Sequence, residues 1–487
     1  MNPDWSTLRV AVCGFGVSGF AAADTLVHLG ARVTVLDESA TGGQSGTERA
    51  ELLELLGAEL RLGPAWDGAL PDGIDLVVTS PGWSPLNDAL VQAEARSIPI
   101  WGEVELAWRL RPPGAPPWLA ITGTNGKTTT VQMLDGILRA AGLRSSAVGN
   151  VGRPVVEAVM DPTPCDVLAV ELSSFQLHWT SSLAVESAAV LNIAPDHVDW
   201  HGSMQSYADD KARIYRGVER ACVYNVEDPV TEQLVRTADV TAGARAIGFT
   251  TGIPQVGMLG VVDGVLADRA FVEDRRNSAA ELCTVDELPD SAPHMVANAL
   301  AAAALARAHG VEPRHVRAGL RGFELGPHRV ATIAEIDGVR YIDDSKATNA
   351  HAALASLRGV DRKAVWIAGG LAKGGTFDEL VEAVRDRLRA AILIGKDRAV
   401  IAAALRRHAP DVPVVEVDSG EYGLMDDFMD GVVLAAAGFA QPGDTVLLAP
   451  GCASMDQFRD YAARGEAFVE AVDRYERRRP PHEYRPH

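Results

Sequence analysis

Residues 118–130, WLAITGTNGKTTT, combine a glycine turn with a cation and hydroxyls. An apolar run from Trp118 to Ile121 breaks into a turn that contains Gly123 and Gly126 and ends in Lys127-Thr128. Glycines let backbone N–H groups close around phosphate oxygens. A lysine at this place supplies a point charge, and a threonine hydroxyl can reach Mg²⁺. The usual eight-residue pattern begins with glycine; Ile121 takes that place, so TGTNGKTT is a shortened variant. The following TTVQMLDGILRA has helical spacing, which turns a helix N-terminus toward the same phosphates.

Two further apolar runs end in groups that could hold a metal beside such a loop. VLAVELSSFQL (Val167 to Leu177) delivers Glu171 next to Ser173 and Ser174. A carboxylate in so apolar a strand is costly to bury without compensation, which points to a ligand or a partner. AAVLNIAPDHVDWHG (Ala188 to Gly202) delivers Asn192, Asp196, His197 and Asp199. Strand-end Glu171 and His197 are the candidate Mg²⁺ ligands; Asp199 and His201 read as supporting residues. Lys211, in YADDKARIY, reads on its own as a surface lysine in an acidic stretch.

These groups need strands to deliver them and helices to follow. The first segment, RVAVCGFGVSGFAAADTL, reads as strand, glycine turn and helix, and leads to VTVLDES. Gly14, Gly16 and Gly19 form GxGxxG, with Asp37 about 20 residues on, a dinucleotide-binding pattern that also occurs as a bare βα turn. VVTSPGWSP (Val77 to Pro85) puts Ser80-Pro81-Gly82 at another strand end, where ligands sit in open parallel sheets. RPPGAPPW (Arg111 to Trp118) is a stiff linker, and GFELGPHRV (Gly322 to Val330) is a second break after the Ala-rich helical stretch. Thr231 to Asp290 reads as helix, short strands and loops, and the tail Arg474 to His487 as a charged, frayed end.

The length of 487 residues allows two to four domains. No run approaches the ~18 apolar residues of a membrane helix, and no signal-peptide pattern opens the chain. Five dispersed cysteines without a CxxC pair give no zinc or disulfide framework and fit a reduced, cytoplasmic protein. A net charge of −20 works against nucleic-acid binding, so anionic ligands must be held locally by individual cations.

GTNGKTT, ELSSFQL, LNIAPDHVDWH, DDKARIY, PHMVANAL, GPHRV, DDSKATN, GGLAKGG and CASMDQF together resemble, in content and order, the bacterial Mur ligases, and among them the branch that adds D-glutamate. The resemblance runs from about Val10 to Phe468. It implies an α/β fold of three domains: an N-terminal Rossmann-like domain (1–112) for the UDP-sugar, a central P-loop ATPase-like domain (113–327), and a C-terminal Rossmann-like domain (328–487) for the amino acid. It implies ATP-driven amide formation between UDP-N-acetylmuramoyl-L-alanine and D-glutamate, through an acyl phosphate, in peptidoglycan precursor synthesis.

Site residues carry over by position. Gly123, Thr124, Asn125, Gly126, Lys127, Thr128 and Thr129 would hold ATP, with Asn298 on the adenine side and Arg329, Asp344 and Lys346 reaching nucleotide from the third domain. Two Mg²⁺ ions are implied, one on Thr128 and Glu171, the other on His197 and a Lys211 carbamylated by CO₂; Lys127, Glu171, His197 and Lys211 form the catalytic set. Val17, Ser18, Asp37, Ser80, Gly82, Asn150 and Ser173 would contact the UDP-sugar substrate, which displaces the dinucleotide reading of GxGxxG. Thr348, Lys373, Ser454 and Tyr461 would hold D-glutamate; a cation and a hydroxyl suit an acidic substrate. Met295 departs from the pattern, standing where Asn usually follows His, and this implies an adenine hydrogen bond lost or replaced. The resemblance implies small-molecule partners only and a monomer. A Mur ligase for another amino acid, a folylpolyglutamate synthase-like ligase, an NAD-dependent oxidoreductase and a silent nucleotide-sugar binder are the alternatives.

Overall fold

A computed structural model describes residues 3–39, 43–324, 326, 328–418 and 425–478. The chain forms two compact units, one of Met1–Ile193 and Gln205–Phe323, the other of Ala194–Met204 and Glu324–His487. The fold is α/β, built on three largely parallel sheets.

The first unit contains two of the sheets. β1 (Arg9–Cys13), β2 (Arg32–Asp37), β3 (Glu59–Leu62), β4 (Leu76–Thr79) and β5 (Ile100–Gly102) are all parallel, in the order β3-β2-β1-β4-β5. The winding reverses between β1 and β4, and that edge leaves a crevice for a ligand. β1 and β4 are buried almost throughout, so they read as continuous apolar runs rather than alternating ones.

The second sheet comprises β6 (Trp118–Thr122), β7 (Ser145–Gly149), β8 (Val167–Glu171), β9 (Ser187–Val190), β10 (Ala221–Asn225), β11 (Arg245–Phe249), β12 (Met258–Val262), β13 (Val265–Asp268) and β14 (Ala280–Thr284). Their order is β14-β13-β12-β11-β10-β9-β6-β8-β7, antiparallel only at β12/β13 and β13/β14. β6 lies between β8 and β9, with Ile121 opposite Glu171 and Thr122 opposite Val190, so the candidate phosphate loop and Glu171 leave the same sheet edge.

One apolar cluster, with Val10, Leu106, Trp118, Val155 and Ile214, runs through both sheets. The helix Glu103–Leu110 fastens them together. Glu103 Oε1 accepts the Val156 N–H at 2.6 Å, and Glu105 Oε2 accepts those of Ser181 and Ser182 at 2.8 and 3.1 Å. The proline linker that follows is held by Arg111, whose guanidinium lies over Trp108 and Trp118.

In the second unit β15 (Ala331–Ile336), β16 (Val339–Asp343), β17 (Ala364–Gly369), β18 (Leu388–Ile394), β19 (Val414–Glu416) and β20 (Thr445–Leu448) form a sheet ordered β15-β16-β20-β17-β18-β19. Only β15/β16 is antiparallel. Trp366 and Leu447 pack on one face, Val365, Ile367 and Phe468 on the other. The helix Tyr461–Arg477 continues into the charged tail expected to fray, and residues 479–487 lie outside the described part. Among the described residues no helix is long and apolar enough to cross a membrane.

Candidate active site

The turn after β6 is tied down from several sides. Asn192, two residues beyond β9, accepts the Thr124 N–H through its carbonyl at 2.9 Å and the Asn125 N–H through Oδ1 at 2.8 Å; its own amide donates back to the Asn125 carbonyl at 3.1 Å. Thr124 Oγ1 meets the Tyr207 hydroxyl at 3.0 Å. Lys127 begins the helix Lys127–Ala140 and folds over the loop, donating to the Gly123 and Thr124 carbonyls at 2.9 Å each. Gly126 has φ +83°, and a Cβ there would come within 2.3 Å of Asn298 Oδ1. Asn298 therefore lies against the phosphate turn, while Met295 is buried in the same helix.

Glu171 is buried, and its two oxygens differ. Oε1 accepts the Asn150 amide at 2.9 Å, whereas Oε2 is buried without a hydrogen-bond partner among the described residues. An orphaned carboxylate oxygen is expensive in apolar surroundings, and beside a phosphate loop it is suited to a hard cation. Among the described residues no three His, Cys, Asp or Glu side chains form a metal cage, so such a cation would draw its other ligands from hydroxyls, phosphates and water. Thr128 stands half-buried at the second position of the following helix. Lys211 is not a surface residue as its sequence context suggests. It is fully buried, its Nζ donates to the Gly123 carbonyl at 2.8 Å, and it lies over the Tyr207 ring. Ser173 is engaged locally: its Oγ accepts the Gln176 N–H in a capping box for the helix Ser174–His178. His197 packs with the second unit, has φ +52°, and stands 3.6 Å from Asp196.

At the β1/β4 crevice, Asp37 holds the glycine turn, accepting the Phe15 N–H at 2.6 Å through Oδ2 and the Ser39 N–H at 2.8 Å through Oδ1. A Cβ on Gly19 would fall 1.9 Å from the Gly14 carbonyl, so only glycine lets the helix Val17–His28 approach so closely. Val17 and Ser18 open that helix, Val17 being exposed. The Ser80 N–H bonds to the Cys13 carbonyl at 2.8 Å, while Gly82 has open space around it.

In the second unit, Asp343 ends β16 and Asp344 follows it. Asp343 accepts the Ser345 N–H at 2.8 Å and meets His328 Nδ1 at 2.6 Å. Burial pushes Asp344 up to about 6; hydrogen bonds from Ser356 Oγ and the Val330 N–H, together with the Arg329 charge, pull the other way. Lys346 Nζ lies 3.9 Å from the centre of the Tyr461 ring, and Thr348 follows half-buried. Asn349 Nδ2 reaches Asp196, the neighbour of His197, at 3.5 Å. The loops that carry Lys373 and Ser454 are paired: Leu371 and Ala453 exchange N–H···O bonds of 2.9 Å in both directions. Lys373 adopts φ +50°, uncommon for a residue with a side chain, beside an anchor of the Ala372 N–H on Asp397 at 2.8 Å.

Residues 121–306 match the Mur ligase middle domain and residues 328–452 the Mur ligase glutamate ligase domain. A UDP-N-acetylmuramoylalanine–D-glutamate ligase from Streptomyces avermitilis is 58% identical over 96% of this chain and 98% of its own. One of the same name from Mycolicibacterium smegmatis is 47% identical over 95% and 96%. The chain belongs to the Mur ligase family. Solved Mur ligases share the fold: UDP-N-acetylmuramate-alanine ligase MurC from Thermotoga maritima superposes with TM-score 0.57 at 17% identity, covering 96% of this chain and all of that one. E. coli FolC with DHPP and ADP gives TM-score 0.51 at 20% identity, over 77% and 92%.

Several residues of this Mur ligase that organise the site escaped the sequence reading. Arg464, buried in the last helix, donates to Ser345 Oγ at 3.0 Å, the Ser345 carbonyl at 2.9 Å and the Cys452 carbonyl at 3.1 Å, bracing the DDSKATN turn against CASMDQF. Burial pulls its pKa down to about 10. The signal available was an arginine among apolar helical neighbours, next to a glycine. Tyr207 and the clamping role of Asn192 depend on partners 83 and 67 residues away, which no local pattern reveals.

Proposed function

We propose that this Mur ligase joins D-glutamate to UDP-N-acetylmuramoyl-L-alanine, converting ATP to ADP and phosphate, as a cytoplasmic monomer in peptidoglycan precursor synthesis. The observation that carries the reading is identity of 46% to 58% along nearly the whole chain to relatives named for this reaction. The functional segments are 1–112, 113–327 and 328–487, with boundaries in the two connecting stretches.

The substrate carboxylate attacks the ATP γ-phosphate and gives an acyl phosphate; the D-glutamate amine then displaces phosphate. Such chemistry is mostly positioning and charge stabilisation. The phosphate loop, Gly123 to Thr129, holds the ATP phosphates, and Lys127 offsets repulsion between two anions. Asn298, Arg329, Asp344 and Lys346 complete nucleotide binding. Asn150 and Ser173 orient the reacting end of the UDP-sugar, whose nucleotide lies on Val17, Ser18, Asp37, Ser80 and Gly82. Lys373, Ser454, Thr348 and Tyr461 hold D-glutamate.

The orphaned Oε2 of Glu171 fits a Mg²⁺ ion shared with Thr128, and His197 with Lys211 would hold a second. Bound there, the ions neutralise phosphate charge as it develops. Lys211 suits a CO₂-derived carbamate, since its nitrogen would retain one N–H for the Gly123 carbonyl that it already meets. Incubating the enzyme with ATP, Mg²⁺, UDP-N-acetylmuramoyl-L-alanine and either D- or L-glutamate tests the reading. The mass of the amide product should appear with D-glutamate only and vanish in Lys127→Ala; its absence with the parent enzyme would overturn it.

A further inference from the structure

Trp83 stands on the turn that leaves β4 at the crevice, three residues after Ser80, and its backbone N–H closes that turn on the Ser80 carbonyl at 3.1 Å. Its ring is held by Trp66, with centroids 5.6 Å apart and planes inclined by 31°. Trp66 is buried, and its own indole N–H is satisfied by the Ala69 carbonyl at 2.9 Å. Trp83 remains partly exposed, and its Nε1 has no hydrogen-bond partner among the described residues. That atom lies against the glycine turn: a Cβ on Gly14 would be 3.0 Å from it.

Indole nitrogen only donates, and a tryptophan at a surface presents an apolar ring with one polar handle. Here the donor is fixed in place, and no described residue accepts from it. It stands at the carboxyl edge of β1, where the sheet order reverses and ligands of open α/β sheets sit. The adjoining helix Val17–His28 begins at Gly16 with no side-chain cap, so its first N–H groups favour an anion at the same edge. A ligand that presents acceptor oxygens beside Gly14 would meet both the indole and the helix N–H groups, and a charged acceptor makes the stronger bond.

We propose that Trp83 is a further substrate-binding residue whose indole N–H donates to an oxygen of the UDP-sugar diphosphate. The inference rests on the reading of this sheet as the UDP-sugar site. Trp66 sets the ring in advance, so little ordering is required when the ligand arrives.

Calorimetric titration of the full-length protein with UDP and with uridine, on the parent, Trp83→Phe and Trp83→His, tests it. Phe keeps a ring against Trp66 and removes the donor; His restores a ring N–H. The UDP Kd should rise roughly tenfold in Trp83→Phe and recover in part in Trp83→His, with uridine and ATP binding and the thermal midpoint unchanged. Equal UDP affinity in parent and Trp83→Phe overturns the inference alone. So does an equal loss for uridine, which would place the contact on the base, or a fall in midpoint that accompanies the loss. A parent that binds no UDP overturns the assignment of the sheet as well.

Discussion

Replacing Glu103 by Gln should make the protein more stable than its parent at alkaline pH relative to acid. Glu103 is buried at the junction of the first two sheets, with Oε1 on the Val156 N–H and Oε2 without a partner. Burial pushes its carboxyl from the ordinary 4.5 up to about 7; the Val156 hydrogen bond opposes this, and the Glu157 charge adds to it. Between those two values the folded protein binds more protons than the unfolded chain, so stability falls as pH rises through the interval. From pH 5 to pH 8.5 the loss comes to about 2 to 3 kcal/mol. Gln keeps the acceptor for Val156 and cannot ionise, and any fixed cost of its amide is the same at both pH values. Denaturant unfolding of parent and Glu103→Gln at pH 5 and 8.5 measures the change in their difference. A gap moving by about 2 to 3 kcal/mol in favour of Gln agrees with the reasoning; a gap constant to within about 0.5 kcal/mol refutes it.

Glu171→Gln should fold normally and lose turnover on the order of 100-fold or more, measured as ADP formation, because the orphaned oxygen loses its charge. Asn192→Ala removes the Oδ1 that holds the Asn125 N–H; the KM for ATP should rise about tenfold in steady-state kinetics. Arg464→Met removes three hydrogen bonds from a charged donor while relieving the cost of burying it; the net loss should be about 3 kcal/mol, seen as a lower thermal midpoint. A higher KM for the amino acid should accompany it, since Ser345 and Cys452 lose their brace.

What could be read from sequence was what local geometry dictates. The phosphate turn follows from two glycines after an apolar strand, and Gly126 does take the left-handed conformation that the motif implies. The β1 turn was equally legible, yet its meaning was not: Asp37 secures the Phe15 and Ser39 N–H groups, a role that GxGxxG does not announce. Lys211 misled because its neighbours Asp209 and Asp210 look solvated, whereas only packing buries its amine under the phosphate loop. Glu103, Glu105 and Arg464 were hidden for the same reason. Each is a charged residue on a helix with an apolar face, and each is explained by partners brought near through tertiary structure. Ser173 shows the converse, a residue within a recognised motif whose visible bonds are those of a helix cap.

Phosphate release from ATP and Mg²⁺ in the presence of UDP-N-acetylmuramoyl-L-alanine, across a panel of amino acids and with Lys127→Ala as control, tests the central claim most directly. Release with D-glutamate alone, abolished in the variant, is the predicted result. Release with another amino acid instead would keep a ligase and contradict the pairing of Lys373 and Ser454 with an acidic substrate; no release with any of them would contradict the ligase itself.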